Sequence, residues 1–593
     1  YHLGLPREYV RLGGFPDRAA FFDLVPQGME MLYTVAYAFG RHAAAKLVEF
    51  AFFVAGLPLI LRLGRRLGLS AAASLVVAVF YFTAPVIGLT GSSSYNDAAG
   101  VFFLLSALDR LLEERWAEAG MCAGFCYAIK MPGLLVAACA VAWLLARRRW
   151  RPAAILAMAA GAAILPWMVR AAAITGNPVA PLGNRVFPNP YFHIATEEGL
   201  AEGLRSMKGV TAAQVPWQLA FGDRLDGTYG PLLLALPLGL LALRRREGRL
   251  LWLAAAVLAL PWFTNSGARF LMQSLVLAMF ALAMVLPRPA AWAAIAIQAV
   301  LCWPQVLDRL QPPYSFRLHE FPVAAALGIE PEPAYLRRHL DEYTVARLIE
   351  RATPVNSRTL ALISVANAYL DRDVAVWWQS AGTDTMLDTL RLASLYSSTP
   401  VFDWKASWPQ TDLTALRFRM PVSYNGEWDI NEVQILSGDY PVASSPQWTF
   451  SGRPNPWEGP LAFDGNLATR WRTWEPVRAG MTFVVDFGHA QRITGATLVT
   501  HTPVFHAPLE VWGREPKGAW RLLTKDVPAT PRAPQDLRLD GARALRAAGF
   551  RYLLVPTGEG GNAPIGNVIV GHEAEWGMER AADAGRYYLL RVR

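Results

Sequence analysis

Charge is what this sequence has little of: Asp, Glu, Lys and Arg together make up 17% of 593 residues, whereas 53% are hydrophobic. A balance this apolar excludes a chain that is soluble throughout. Cysteine is scarcer still, with four residues, and Cys122, Cys126, Cys139 and Cys302 all lie inside apolar segments. That placement excludes a disulfide framework and a Cys/His metal pattern, leaving them as small buried side chains. The stretch "YHLGLPREYV" has neither a basic start nor an apolar core, so it does not read as a signal peptide. The opening reads as the interior of a longer reading frame.

What is abundant is long apolar sequence, and it is unevenly placed. Apolar segments fill the chain to about Leu307, and beyond Arg309 it turns mixed, Pro-punctuated and alternating. Candidate spans are Ala43–Leu63, Ala71–Leu89, Ala98–Leu112, Pro152–Val169, Tyr229–Leu243, Leu250–Thr264, Phe270–Leu286 and Ala290–Leu307. Between Ala119 and Ala146 a further apolar stretch is broken at "IKMPG", predicting a tight hairpin of two short helices.

The net charge of +9 suggests nucleic acid until it is mapped. Arg62, Arg65 and Arg66, then Arg147–Arg149 with Arg151, Arg244–Arg246 with Arg249, and Arg288 sit in short connections between apolar segments. They act as topology signals, and nucleic acid is not an expected partner. With the broken stretch taken as two crossings, all these clusters fall on one side, which predicts ten crossings. The opposite, extracytoplasmic side then receives Tyr1–His42, the "GSSSYND" turn, the tip of the Lys130 hairpin, the loop Arg170–Thr228, the "NSGAR" turn and everything after Leu307.

An ionised side chain at membrane depth is costly unless it meets water, a partner or a ligand, so Asp97 and Lys130 stand out. Asp97 fits either a helix N-cap or a cavity acid, and Lys130 either a snorkelling or ion-paired residue or an anion-binding one. Arg170, at a helix end before "ITGNPVAPLGN", and Arg269 in "NSGARFLMQ" are interface anchors or further cations on that same side. Cations that hold a phosphate beside a carboxylate that handles a proton are what transfer from a phosphate-linked substrate requires.

"YHLGLPREYV", "VPQGMEMLYTVAYAFG", "YNDAAGVFFLLSALDRLL", "AGFCYAIKMPGLL" and "PWMVRAAAITGNPVAPL" together resemble the GT-C superfamily of polytopic glycosyltransferases. The likeness is to the bacterial branch related to protein O-mannosyltransferases and aminoarabinose transferases, and covers Tyr1 to Leu307. It implies an inner-membrane, multi-pass enzyme that moves a sugar from a polyprenyl-phosphate donor, with inversion, to an acceptor on the outer face. It also implies a principal acidic base a few positions before Tyr1, so Asp97 becomes the supporting acid. His2 and Glu30 would line the same cavity, and Lys130, Arg170 and Arg269 would face the donor phosphate. No cofactor is called for, and a divalent metal is left open. The rival classes are a transporter or flippase of lipid-linked sugar and a membrane-anchored glycan-binding protein.

From residue 311 to 425 helical stretches alternate with short strands such as "RTLALIS" and "VAVWW", an extracytoplasmic α/β pattern. Period-2 alternation follows, as in "MTFVVDFG", where Met481, Phe483, Val485 and Phe487 share a face, and predicts an antiparallel β-sandwich over 426–530. Residues 531–593 return to apolar strands that complete the α/β unit, making the sandwich an insertion. "AFDGNLATRWRTWEPVRAGMTFVVDFGHAQRITGATLVT" resembles the discoidin, or coagulation factor 5/8 type C, domain, a jelly-roll common in carbohydrate-binding modules. Trp471 is expected in its core. Trp474, Arg472 and His501 form either a sugar-stacking face or ordinary surface, and Asp464 with Asn466 either a structural calcium site or an Asp-Gly turn. The expected partners are membrane lipid, a lipid-linked sugar donor and a glycan or glycoconjugate acceptor.

Overall fold

The computed structural model describes residues 1–206, 209–313, 315–395, 400–501 and 508–593. The chain divides into two units, Tyr1–Pro181 with Glu198–Tyr335, and Leu182–Glu197 with Leu336–Arg593.

The first unit is helical. Its longest element, Gly28–Arg66, is interrupted by non-helical backbone at Gly40 and Arg41. Asp97–Leu112, Trp116–Ile129, Leu134–Ala146 and Trp150–Thr175 follow. The expected hairpin forms at "IKMPG": Lys130 leaves helical geometry, and a short 3-10 turn over Met131–Gly133 starts the return. Gly133 is obligatory there, because a Cβ would stand 2.0 Å from the Cys126 carbonyl oxygen. Gly120 and Gly124 lie one turn apart and let Trp116–Ile129 meet Trp150–Thr175 backbone to backbone, since a Cβ on either would stand 2.3 and 2.4 Å from the Leu156 and Ala160 carbonyls. Small residues at that spacing allow close helix packing where water does not drive association.

Two helices among the described residues, Gly28–Arg66 and Trp150–Thr175, are long and apolar enough to cross a membrane. The number rises to four if the pairs Ala71–Thr83 with Pro85–Gly91 and Arg288–Leu301 with Pro304–Leu310, bent by 65° and 70°, each count as one crossing. This departs from the ten crossings read from the sequence. The physical reason is segmentation: prolines and glycines break the apolar runs, so Met131–Ala146, Pro231–Arg244 and Ala268–Ala283 are shorter than a bilayer-length helix. The arginines read as topology signals also pair, Arg62 and Arg66 with buried Asp109 and with Glu113, and Arg149 with Glu114.

The second unit holds two sheets. In the five-stranded one, Arg358–Ala361 runs parallel to both Asp373–Val376 and Tyr552–Pro556, and Tyr587–Val592 and Met578–Ala584 extend it antiparallel. Leu360, Leu553, Val555 and Leu590 are buried in it against Leu387, Leu390 and Leu545. Strands from both ends of the unit's sequence thus share one sheet, with the other sheet threaded between them.

That other sheet is eight-stranded and antiparallel, centred on two 19-residue strands, Val401–Arg419 and Thr482–Thr500, with register shifts between Ser407 and Thr411 and between Leu413 and Ala415. Such bulges bend a long strand and let one sheet curl around its own core. The sequence placed the boundary of this region at residue 426 and expected two facing sheets. The strand Val401–Arg419 already belongs to it, and the described strands form one sheet plus a two-stranded ribbon, Asp429–Ile430 with Trp471–Arg472. In "DWKASWPQTD" Trp404, Ala406 and Trp408 do alternate onto the buried face, but Pro409 and the polar residues after it cut that signal short. Met481, Phe483, Val485 and Phe487 are buried with Trp428 and Trp471 in its core, on the face that the alternation indicates.

Candidate active site

The helix Asp97–Leu112 begins directly after the polar "SSSYN" turn, so its first residue stands at the mouth of an apolar segment. The hairpin break brings Lys130 to the same place. Its Nζ donates to Asp97 Oδ1 at 2.9 Å and lies 4.3 Å from the centre of the Phe270 ring. The Asp97 side chain is 7% exposed and Lys130 33%, so the pair opens toward a cavity from the lysine side. Asp97 Oδ2 is buried without a hydrogen-bond partner. The cavity is lined by Asn96, Asp97, Lys130, Leu258, Phe270 and Gln273 among others.

Arg269 lies 4.8 Å over both Tyr95 and Phe270, so two cations share the Phe270 ring. His2 Nδ1 is 2.6 Å from Glu30 Oε1, and its ring meets Tyr95 edge-on at 6.1 Å. Glu30 Oε2, like Asp97 Oδ2, is buried and unpartnered. Five of the expected residues, His2, Glu30, Asp97, Lys130 and Arg269, therefore gather around Tyr95 and Phe270.

Arg170 does not join them. Its guanidinium donates to the Asp23 carbonyl and lies 4.3 Å over Phe15, beside the Arg18 pairs with Glu8 and Asp23. The helix carrying it ends at Gly176, whose φ of 74° gives the left-handed cap of the "TGNP" turn.

Sequence reasoning missed Glu49. It is a fully buried carboxylate on the helix Gly28–Arg66, and its Oε1 accepts from the Ala98 and Ala99 amides at 2.9 and 3.1 Å. The signal was available, since Glu49 is an acid within the apolar run Ala43–Leu63.

In the second unit the proposed sugar-stacking face does not form. Trp474 is 8% exposed, His193 stacks on it at 3.9 Å, and the Arg472 guanidinium lies 4.1 Å over the same indole. Its Nε1 donates to Glu458, and its φ of 51° is unusual for an aromatic residue. Arg472 pairs with Asp388 and Glu427. His501 is buried against Asn431 at 2.7 Å, and burial pushes its imidazole down to about 4, so it stays neutral. With no open ring face and no free guanidinium, these three residues are packing and pairing groups.

Asp464 and Asn466 hold a turn around Gly465, with φ of 70°. Asp464 accepts from the Asn466 amide and the Thr469 hydroxyl, and Asn466 donates to the Asp540 carbonyl. Both Asp464 oxygens are engaged, and no group of three or more His, Cys, Asp or Glu that could hold a metal occurs among the described residues.

What the sequence did not mark is the knot around His193. Nε2 lies 2.8 Å from Glu458 and Nδ1 3.4 Å from Asp384. Burial works against the imidazolium, but the two carboxylates outweigh it and raise the pKa to about 9. Glu458, although buried, is held below its ordinary range by His193, Trp474 and Thr385.

No family model matches the chain, and no curated protein matches it. Two crystal structures are similar to it at 14% sequence identity: ArnT from Cupriavidus metallidurans bound to undecaprenyl phosphate, with a TM-score of 0.41 over 63% of this chain and 80% of that chain, and the same protein in the apo state, with a TM-score of 0.39 over 68% and 86%. A likeness of that size carries no argument, and the functional reading below rests on the residues themselves.

Proposed function

We propose that the chain is an integral-membrane glycosyltransferase that moves a sugar from a polyprenyl-phosphate donor to an extracytoplasmic acceptor. The observation that carries this reading is the Asp97–Lys130 pair at a cavity, with one Asp97 oxygen bound to the lysine and the other buried and unpartnered. A buried polar atom without a partner is costly, and its retention at a cavity wall fits a ligand hydroxyl or proton.

In this reading Lys130 and Arg269 hold the donor phosphate, Lys130 as a point charge and Arg269 through its planar fork. Both stand against the Phe270 ring, an apolar wall that strengthens their field at a leaving phosphate. Asp97 supports the proton transfer from the acceptor hydroxyl. The His2–Glu30 pair, with its free Oε2, is the adjacent group able to take or orient that proton.

The test is reconstitution in liposomes with a series of polyprenyl-phosphate sugars, following sugar transfer in wild type, Asp97→Asn and Lys130→Met. Turnover in wild type that collapses in both variants supports the proposal. Full transfer by Asp97→Asn removes that acid from the chemistry. Movement of donor across the bilayer without transfer would favour a transporter instead.

A further inference from the structure

A helix that starts in a low-dielectric setting must have its first amide hydrogens accepted by something. The residues in place to do so for Asp97–Leu112 are Asn96 and Asp97, and neither does. The Asn96 side chain donates to the Ile129 carbonyl at 3.1 Å and makes no cap, and Asp97 is turned to Lys130. The acceptor comes instead from another helix, where Glu49 Oε1 takes the Ala98 and Ala99 amides.

Its other oxygen ties the same carboxyl to the turn before the helix. The Tyr33 hydroxyl lies 3.1 Å from Glu49 Oε2 and 2.6 Å from the Tyr95 carbonyl oxygen. Tyr33 and Glu49 are both buried, on the two helical arms of Gly28–Arg66 that meet at the Gly40–Arg41 break, so the two arms together grip the turn at Tyr95 and the helix start at Ala98. One hydroxyl hydrogen cannot serve two acceptors at once. A neutral side chain at position 49 that both accepts and donates therefore fits the site as well as a carboxylate does.

We infer that Glu49 is a positioning residue: it caps the Asp97 helix from outside, and so leaves the Asp97 carboxylate to Lys130 and the cavity. Without it, the freed amides offer Asp97 a closer partner. The carboxylate then turns back onto its own helix, and Lys130 loses its counter-charge. This rests on the functional reading above for the part Asp97 plays, but the capping itself does not.

The experiment uses the full chain in lipid nanodiscs, with amide hydrogen exchange read on peptides covering Ala98 and Ala99 and binding of a polyprenyl phosphate measured in parallel. Glu49→Leu is expected to speed exchange at these amides about fivefold or more, the size of a lost cap, and to weaken polyprenyl phosphate binding. Glu49→Gln, which can accept both amides and donate to Tyr33, is expected to restore both. Glu49→Asp keeps the carboxyl but lacks the reach, and is expected to expose the amides where Glu49→Leu does not accumulate. Unchanged exchange in Glu49→Leu and Glu49→Asp, or equal loss in Glu49→Gln, would overturn the inference. If wild type does not bind polyprenyl phosphate, the donor reading fails, while the exchange data still decide the role of Glu49.

Discussion

The Asp97–Lys130 pair of the first unit and the His193 knot of the second are built from similar parts and finished differently. Each sets a cation against a buried carboxylate and an aromatic ring, Phe270 in one and Trp474 in the other. Around His193 the carboxylates are largely answered, although Nδ1, 3.4 Å from Asp384, has no hydrogen-bond partner. Glu458 accepts from Thr385 and from Trp474 and Asn455, besides meeting the imidazole. Around Asp97 one carboxylate oxygen is left over, Glu30 has another, and a cavity adjoins them. Charge, burial and an unpartnered atom are thus common to both clusters, and the adjoining cavity is what favours the Asp97 pair as the proposed site.

The strongest way to break this contrast is Asp97→Asn. It is expected to lower sugar transfer by about 10²- to 10⁴-fold, the range of a lost acid–base group, with little change in thermal unfolding followed by tryptophan fluorescence. A large stability loss with transfer retained would reverse the two assignments. Next is Glu458→Ala, which strands the buried His193 charge and is expected to cost about 3–5 kcal/mol in denaturant unfolding of the full chain.

A pH series sharpens the same point. His193 is raised to about 9, so its contribution is fully present below its ordinary value of 6.5 and is lost as pH rises through about 9. Glu458 is lowered, so its contribution is present above 4.5 and is lost as pH falls below that value. The second unit is therefore expected to be most stable between these limits, and His193→Gln to flatten the alkaline limb. The smallest effect is Trp474→Phe, which removes the donor to Glu458 and is expected to cost about 1 kcal/mol. It should leave binding to a glycan array unchanged, and a loss there would restore the sugar-stacking reading.

Local breaks were legible in the sequence where one residue type forces the backbone. "IKMPG" gave the hairpin and the position of Lys130, and "MTFVVDFG" gave the buried face of the central strand. The membrane-depth rule found Asp97 and Lys130, which then prove to be partners. It would have found Glu49 as well, had each acid in an apolar run been weighed alike. Tertiary partners were not legible. Nothing local says that Arg170 turns to a carbonyl 147 residues away, or that His193 closes over Trp474. Both come from chain crossings that no periodicity records. The crossing count differs from the number of bilayer-length helices for another reason, because hydropathy measures composition over a window and not the unbroken length of a helix.

The short segment Leu182–Glu197 belongs with Leu336–Arg593, although first-unit sequence flanks it on both sides. It carries His193, the only imidazole between Asp384 and Glu458 among the described residues. A soluble fragment cut to begin at Leu336 would thus leave out its own keystone and bury two acids facing an empty slot. Adding a peptide of residues 182–197 in trans should rescue such a fragment, so for anyone excising the second unit the useful boundary is a pair of segments and not a single cut.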